Sequence, residues 1–161
     1  MASTSPFCGD FRSALYISTN VSARQMILDF MDTFTKKQRS HCMAQIKSKW
    51  TSCEQRLHNY LKGNHIKHIM HPQMSGNPDI AISKKKIIIF VHGCFWHKCP
   101  KCYREPLSNK RYWINKVQGN VKRDKKTIKF YQNIGYKTLT IWEHEVKKNI
   151  DNAVAKIKSL L

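Results

Sequence analysis

The chain has 161 residues, enough for one domain, with 41% hydrophobic residues to build a core and 29 Lys+Arg against 10 Asp+Glu. That composition excludes wholesale disorder, and the longest apolar run, residues 87–91, falls far short of the ~20 residues that cross a bilayer, so no membrane is expected. A net charge of +19 favours a polyanionic partner.

The charge is unevenly placed. Residues 1–32 hold Arg12 and Arg24 against Asp10, Asp29 and Asp32, whereas from residue 33 onward 27 basic side chains face 7 acidic ones. The opening stretch is rich in Ser and Thr and has no long apolar segment, so it does not read as a secretory signal. It is expected to be a poorly ordered extension, with residues 33–161 forming the working domain. Three cysteines lie within nine residues beside histidines, which suggests metal ligation in a reducing, cytoplasmic setting rather than disulfides.

The spacing predicts a basic helix over residues 35 to about 49, with Met43 and Ile46 on a thin apolar side. Thr51-Ser52-Cys53-Glu54 fits a capping box before a second helix carrying Leu57, Tyr60 and Leu61, stopped by Gly63. Strands are expected at 66–70, 79–82 and 86–91, the last two joined tightly through Ser83-Lys84-Lys85. Residues 92–106 read as an irregular Cys/Pro-rich loop. A helix resumes near Ser108, with Val121, Ile128 and Tyr131 on one face and Gly135 as its stop. A strand at 136–142 and a final helix capped by Asn149 or Asp151, turning Val154, Ile157 and Leu161 inward, complete the chain. The order α-α-β-β-β-α-β-α describes an α/β (α+β) fold, a mixed sheet flanked by helices. Trp50 and Trp142 are assigned to the core.

Four constellations carry chemistry. Asp79, after Gly76-Asn77-Pro78, opens one strand, and its hairpin partner ends at Val91 beside it. A carboxylate and a main-chain carbonyl there are hard oxygen donors that suit Mg²⁺, although an Asp closing a turn after Pro78 gives the same string. Cys94-x4-Cys99-x2-Cys102 supplies three soft ligands where tetrahedral Zn²⁺ needs four. His144, just after the last strand, can close the set. His97, between the cysteines, suits either zinc or catalysis, and spacing does not choose; three free thiols are the plainer alternative. Phe95, Trp96 and Trp113 sit among cations, where aromatic rings can stack on or wedge between bases, or simply anchor the loop. Asp124, within Asn120-Val121-Lys122-Arg123-Asp124, either orients a histidine or makes a surface ion pair.

Together, Thr35 to Ile46, Thr51 to Glu54, Gly76 to Asp79, the block Val91-His92-Gly93-Cys94-Phe95-Trp96-His97, Asn109, Trp113, Asn120 to Asp124 and Trp142-Glu143 resemble the very short patch repair (Vsr) mismatch endonucleases. The likeness runs over about residues 33–148, and the His-Gly-Cys-Phe-Trp-His block is specific to that family. The resemblance implies a restriction-endonuclease-like fold with a structural zinc loop on Cys94, Cys99, Cys102 and His144. It also implies a monomeric, nucleoid-associated enzyme that nicks double-stranded DNA 5′ of the mispaired thymine in a T:G mismatch, with Mg²⁺ as cofactor and an accessory mismatch-repair protein as a further partner. Carried over by position, Asp79 and the Val91 carbonyl ligate Mg²⁺, and His97 is the general base. His92 and Asp124 assist at the scissile phosphate, and Glu54 supports the site. Phe95, Trp96 and Trp113 form a major-groove wedge, Met43 enters from the minor groove, and Asn120 and Arg123 contact DNA. Where restriction-type nucleases carry acid-x-Lys on the second strand, this chain has Phe90-Val91-His92, as the mismatch family does. Two other readings share the basic face: a zinc-stabilised DNA-binding module without catalysis, and a nuclease of the same fold with another DNA target.

Overall fold

A computed structural model describes residues 35–106 and 109–161. The expected extension at 1–32 therefore lies outside the described residues. The chain divides into two compact units, Met1–Lys47 and Ser48–Leu161. In the first, helix α1 spans Lys36–Ala44. Thr35 caps it reciprocally: the Thr35 hydroxyl accepts from the Gln38 amide at 3.2 Å, and the Gln38 side chain accepts from the Thr35 amide at 2.8 Å. The helix stops at Ala44 rather than near residue 49. With Met43 and Ile46 both exposed, no buried stripe holds further turns of a short helix.

The second unit opens with α2, Ser52–Gly63, which buries Cys53, Leu57 and Leu61 at helical spacing. Thr51 is the N-cap, its hydroxyl accepting from the Glu54 amide at 3.4 Å. The expected capping box is only half formed. The Glu54 carboxylate accepts a hydrogen bond from the Thr51 hydroxyl at 2.7 Å instead of reaching the Thr51 backbone. Gly63 is the last helical residue, and the left-handed position that ends the helix falls on His65 (φ 57). The His65 amide bonds to the Lys62 carbonyl and the Ile66 amide to that of Leu61, both at 3.0 Å, a Schellman closure. That turn consumes residues expected in a strand, so β1 is only Ile69–Met70.

Strands β2 (Ile80–Ile82) and β3 (Ile87–His92) pair antiparallel, joined by a 3-10 turn at Ser83–Lys85 with Lys86 left-handed. After helix α3 (Lys110–Asn133), strand β4 (Lys137–Trp142) lies parallel to β3, giving a four-stranded sheet in the order β1-β2-β3-β4. The uninterrupted Ile87-Ile88-Ile89-Phe90 run is explained by burial on both faces. Ile87 and Ile89 join Leu57, Leu61, Ile141, Val154 and Ile157 on one side, while Ile88 and Phe90 meet Ala81 and Tyr131 on the other. The expected mixed sheet flanked by helices is therefore what forms. One element was not anticipated: a short helix α4 (Glu143–Lys148) precedes α5 (Ile150–Lys158), which Asn149 caps. Leu161, expected inward, is 39% exposed, and Trp50, assigned to the core, is 43% exposed. Among the described residues, no helix is long and apolar enough to cross a membrane.

The loop before β2 is packed against α3. Gly76 has φ +78, and a Cβ there would lie 2.3 Å from Thr127 Cγ2. Left-handed backbone costs an alanine about 1–2 kcal/mol, and overpacking adds about 1–3 kcal/mol. Gly76→Ala is thus expected to lose about 2–5 kcal/mol in urea unfolding; a change within about 0.5 kcal/mol contradicts this packing.

Candidate active site and metal centres

The antiparallel pairing of β2 with β3 brings Asp79 to the end of β3. Its carboxylate accepts the Val91 amide at 2.7 Å, and its main-chain carbonyl accepts the His71 amide at 2.8 Å. Burial, partly offset by the Val91 hydrogen bond and reinforced by the Glu54 carboxylate, pushes the Asp79 carboxyl up to about 6. Glu54 arrives from α2 and is 3% exposed. Its Oε2 lies 3.1 Å from His71 Nε2 without hydrogen-bond geometry and has no hydrogen-bond partner. Donor atoms of Glu54, His71 and Asp79 all fall within 4.8 Å of one another. A buried carboxylate oxygen left without a donor beside a second carboxylate is costly unless a cation joins them, so these residues fit a divalent ion.

Immediately alongside, His92 ends β3 and stacks on His97, ring centroids 4.0 Å apart at 10°. Burial, then the neighbouring His97 ring, pushes His92 down to about 4 despite Asp124, so it is a neutral imidazole at working pH. Asp124, from α3, accepts from His97 Nδ1 at 2.6 Å. Its partner is therefore a histidine rather than a surface cation. Fixing the proton on Nδ1 leaves the His97 Nε2 lone pair to take a proton.

The loop after β3 folds around Cys94, Cys99, Cys102 and His144. His144 Nδ1 stands 3.3 Å from Cys94 Sγ and 3.5 Å from the sulfurs of both Cys99 and Cys102. Zn–S bonds of about 2.3 Å and a Zn–N bond of about 2.0–2.1 Å, set tetrahedrally, separate sulfur from nitrogen by about 3.5 Å, so the four atoms fit a tetrahedral ion. Burial first, then its thiol neighbours, push Cys94 up to about 12; a bound dication would reverse that. The Cys94 amide donates to Glu143 Oε2 at 3.1 Å, which ties the loop to α4.

Phe95, Trp96 and Trp113 form one half-buried cluster, with edge-to-face contacts at 5.3, 5.4 and 5.7 Å. Asn120 is buried beneath it and donates to the Trp96 carbonyl at 2.9 Å, while Arg123 hydrogen-bonds to Asn120. This pair braces the loop from α3.

A family model described as DNA mismatch endonuclease Vsr matches residues 31–104. The Type II nicking enzyme V.NmeAIP of Neisseria meningitidis serogroup A / serotype 4A is 37% identical over 119 residues, covering 72% of this chain and 84% of that one. The chain belongs to the Vsr endonuclease family. The DNA mismatch endonuclease Vsr of Escherichia coli strain K12 is 33% identical over 115 residues, 70% of this chain and 73% of its own length. Among solved structures, the Homing Endonuclease I-Bth0305I Catalytic Domain aligns at 24% identity with a TM-score of 0.49, over 68% of this chain and 93% of that one.

In this Vsr-family DNA endonuclease the structure brings together Asp79, Val91 and Glu54 at one strand end, His92, His97 and Asp124 beside them, and the four Cys/His residues in the loop. Met43 is exposed on α1, in the other unit. Asn120, assigned to DNA contact, has its side chain committed to Trp96 and Arg123. Three residues escaped the sequence reading: His71, Glu143 as the anchor of the cysteine loop, and Tyr112, 60% exposed against Trp113.

Proposed function

We propose that the chain nicks one strand of double-stranded DNA on the 5′ side of the mispaired thymine in a T:G mismatch, by divalent-cation-dependent hydrolysis. The observation that carries this reading is the adjacency of a carboxylate at a strand end to an Asp-held imidazole: Asp79 on Val91, and His97 on Asp124. Asp79 and the Val91 carbonyl would hold Mg²⁺, with Glu54 in support. The ion, when bound, polarises the phosphodiester and lowers the pKa of a water. His97 Nε2 would take a proton from the attacking water, and Asp124 would steady the imidazolium that results. His92, uncharged, donates one N–H toward a phosphate oxygen. Cys94, Cys99, Cys102 and His144 would hold Zn²⁺, which fixes the loop bearing His97. Phe95, Trp96 and Trp113 would test the helix by insertion, because a wobble pair unstacks more cheaply than a matched pair. Met43 would enter the opposite groove, Arg123 would meet the backbone, and the cationic surface supplies salt-sensitive affinity.

The test is strand cleavage of T:G, matched and four-way substrates with Mg²⁺. Nicking confined to T:G and lost in Asp79→Ala supports the reading. An intact strand with both proteins, despite binding, favours a non-catalytic module; cleavage of another substrate favours a different target.

A pH dependence follows from Asp79. It must lose its proton to hold a cation, so Mg²⁺ affinity is expected to rise through about pH 6 and level off above it; isothermal titration between about pH 5 and 8 checks this. Without a cation the sign for stability is opposite. The folded chain holds this proton more tightly than the unfolded one, so Asp79 contributes stability at low pH that is lost as the pH rises through about 6.

A further inference from the structure

His71 is the group near the strand ends that the proposed reaction leaves unused, and its setting is unusual. Its backbone is left-handed, with φ 46, a conformation that a residue bearing a Cβ adopts only at a cost. The bond from its amide to the Asp79 carbonyl, 2.8 Å, fixes that turn and sends the imidazole inward, where the side chain is 10% exposed. There Nε2 accepts the Trp50 amide at 3.4 Å, while the indole of Trp50 packs edge-on against the ring. That contact is long, so a cation can take the Nε2 lone pair in place of the amide. The same Nε2 stands 3.1 Å from Glu54 Oε2, a buried oxygen with no hydrogen-bond donor of its own. Two electron-rich atoms thus face each other in a buried pocket, with the Asp79 carboxylate completing a triangle inside 4.8 Å. A positive ion is what relieves that arrangement.

We propose that His71 Nε2 is a ligand of the active-site divalent cation together with Asp79 and Glu54, so that this site binds a first-row transition ion such as Mn²⁺ with a nitrogen donor. The inference rests on the cation site of the proposed function; it adds His71, makes Glu54 a direct ligand rather than a support, and gives the site a metal preference. Its chemistry is that of a mixed N/O set: carboxylates suit Mg²⁺ and Mn²⁺ alike, whereas an imidazole favours transition ions over Mg²⁺, which prefers oxygen. The strained backbone is then the means by which Asp79 and its nitrogen partner are delivered to one point.

The test uses full-length, zinc-loaded protein titrated with Mn²⁺ and read by electron paramagnetic resonance. Nitrogen coupling to bound Mn²⁺ in pulsed spectra of the wild type is the expected result. His97→Ala should retain it, because the second imidazole group, His92 and His97, would otherwise be its source. His71→Asn should lose it; asparagine tolerates left-handed backbone, so the turn survives. That variant should also weaken Mn²⁺ by at least the roughly 10–100-fold that loss of a mere outer-shell partner costs, and weaken Mg²⁺ less. Wild-type spectra without nitrogen coupling, or coupling that persists in His71→Asn, overturn the ligation. If Asp79→Asn abolishes Mn²⁺ binding in that case, the cation site itself stands. If Asp79→Asn binds Mn²⁺ as wild type does, both readings fall.

Discussion

His97→Ala should lower single-turnover nicking by about 10²–10⁴-fold, the usual worth of a positioned general base, while affinity for the duplex is unchanged. The reason lies in the hydrogen bond at 2.6 Å from His97 Nδ1 to Asp124, which commits one ring nitrogen and leaves the other to accept a proton. His92 cannot substitute, because its ring lies flat against His97 and burial keeps it a poor proton acceptor near pH 7. Asp124→Asn tests the same geometry from the other side. An asparagine can offer its amide proton to Nδ1 and so favours the wrong tautomer, which should depress the rate and alter its pH profile. Wild-type nicking by His97→Ala would assign the base elsewhere.

Cys94→Ser is expected to destabilise the fold by more than about 4 kcal/mol, as loss of a structural metal does, which at about 2–4 °C per kcal/mol lowers the melting temperature by roughly 8–16 °C. Cys94 is buried, its sulfur is the one nearest to His144, and its amide is tied to Glu143. A thermal melt paired with metal analysis reads the outcome. Chelator treatment of the wild type should reproduce it, and an unchanged melt with full metal content would contradict it. Because His97 lies between Cys94 and Cys99, the same variant should also lose nicking.

The parts of the site most legible in the sequence were those set by short connections. Asp79 and Val91 are twelve residues apart, and a tight hairpin leaves them little choice but to meet. The cysteine loop was legible because three thiols so close have few other uses. His71 was not, since it is one of three histidines spaced alike at 65, 68 and 71, and its inward turn depends on a left-handed φ. Helix α4 was invisible for a related reason: six residues with one buried side chain, Val146, display no period. Glu54 read as a cap and is half of one. Its other carboxylate oxygen faces His71, a division that only the burial of α2 against the sheet decides. Trp50 was misassigned because apolar character alone does not fix depth; it lies edge-on against His58 and His71, partly in solvent.

Anomalous diffraction from crystals soaked in Mn²⁺ addresses the central claim most directly. A peak beside the Asp79 carboxylate and the Val91 carbonyl, with His97 on its flank, is the predicted map. Density at the cysteine loop alone, with the ends of β2 and β3 empty at saturating ion, would contradict it.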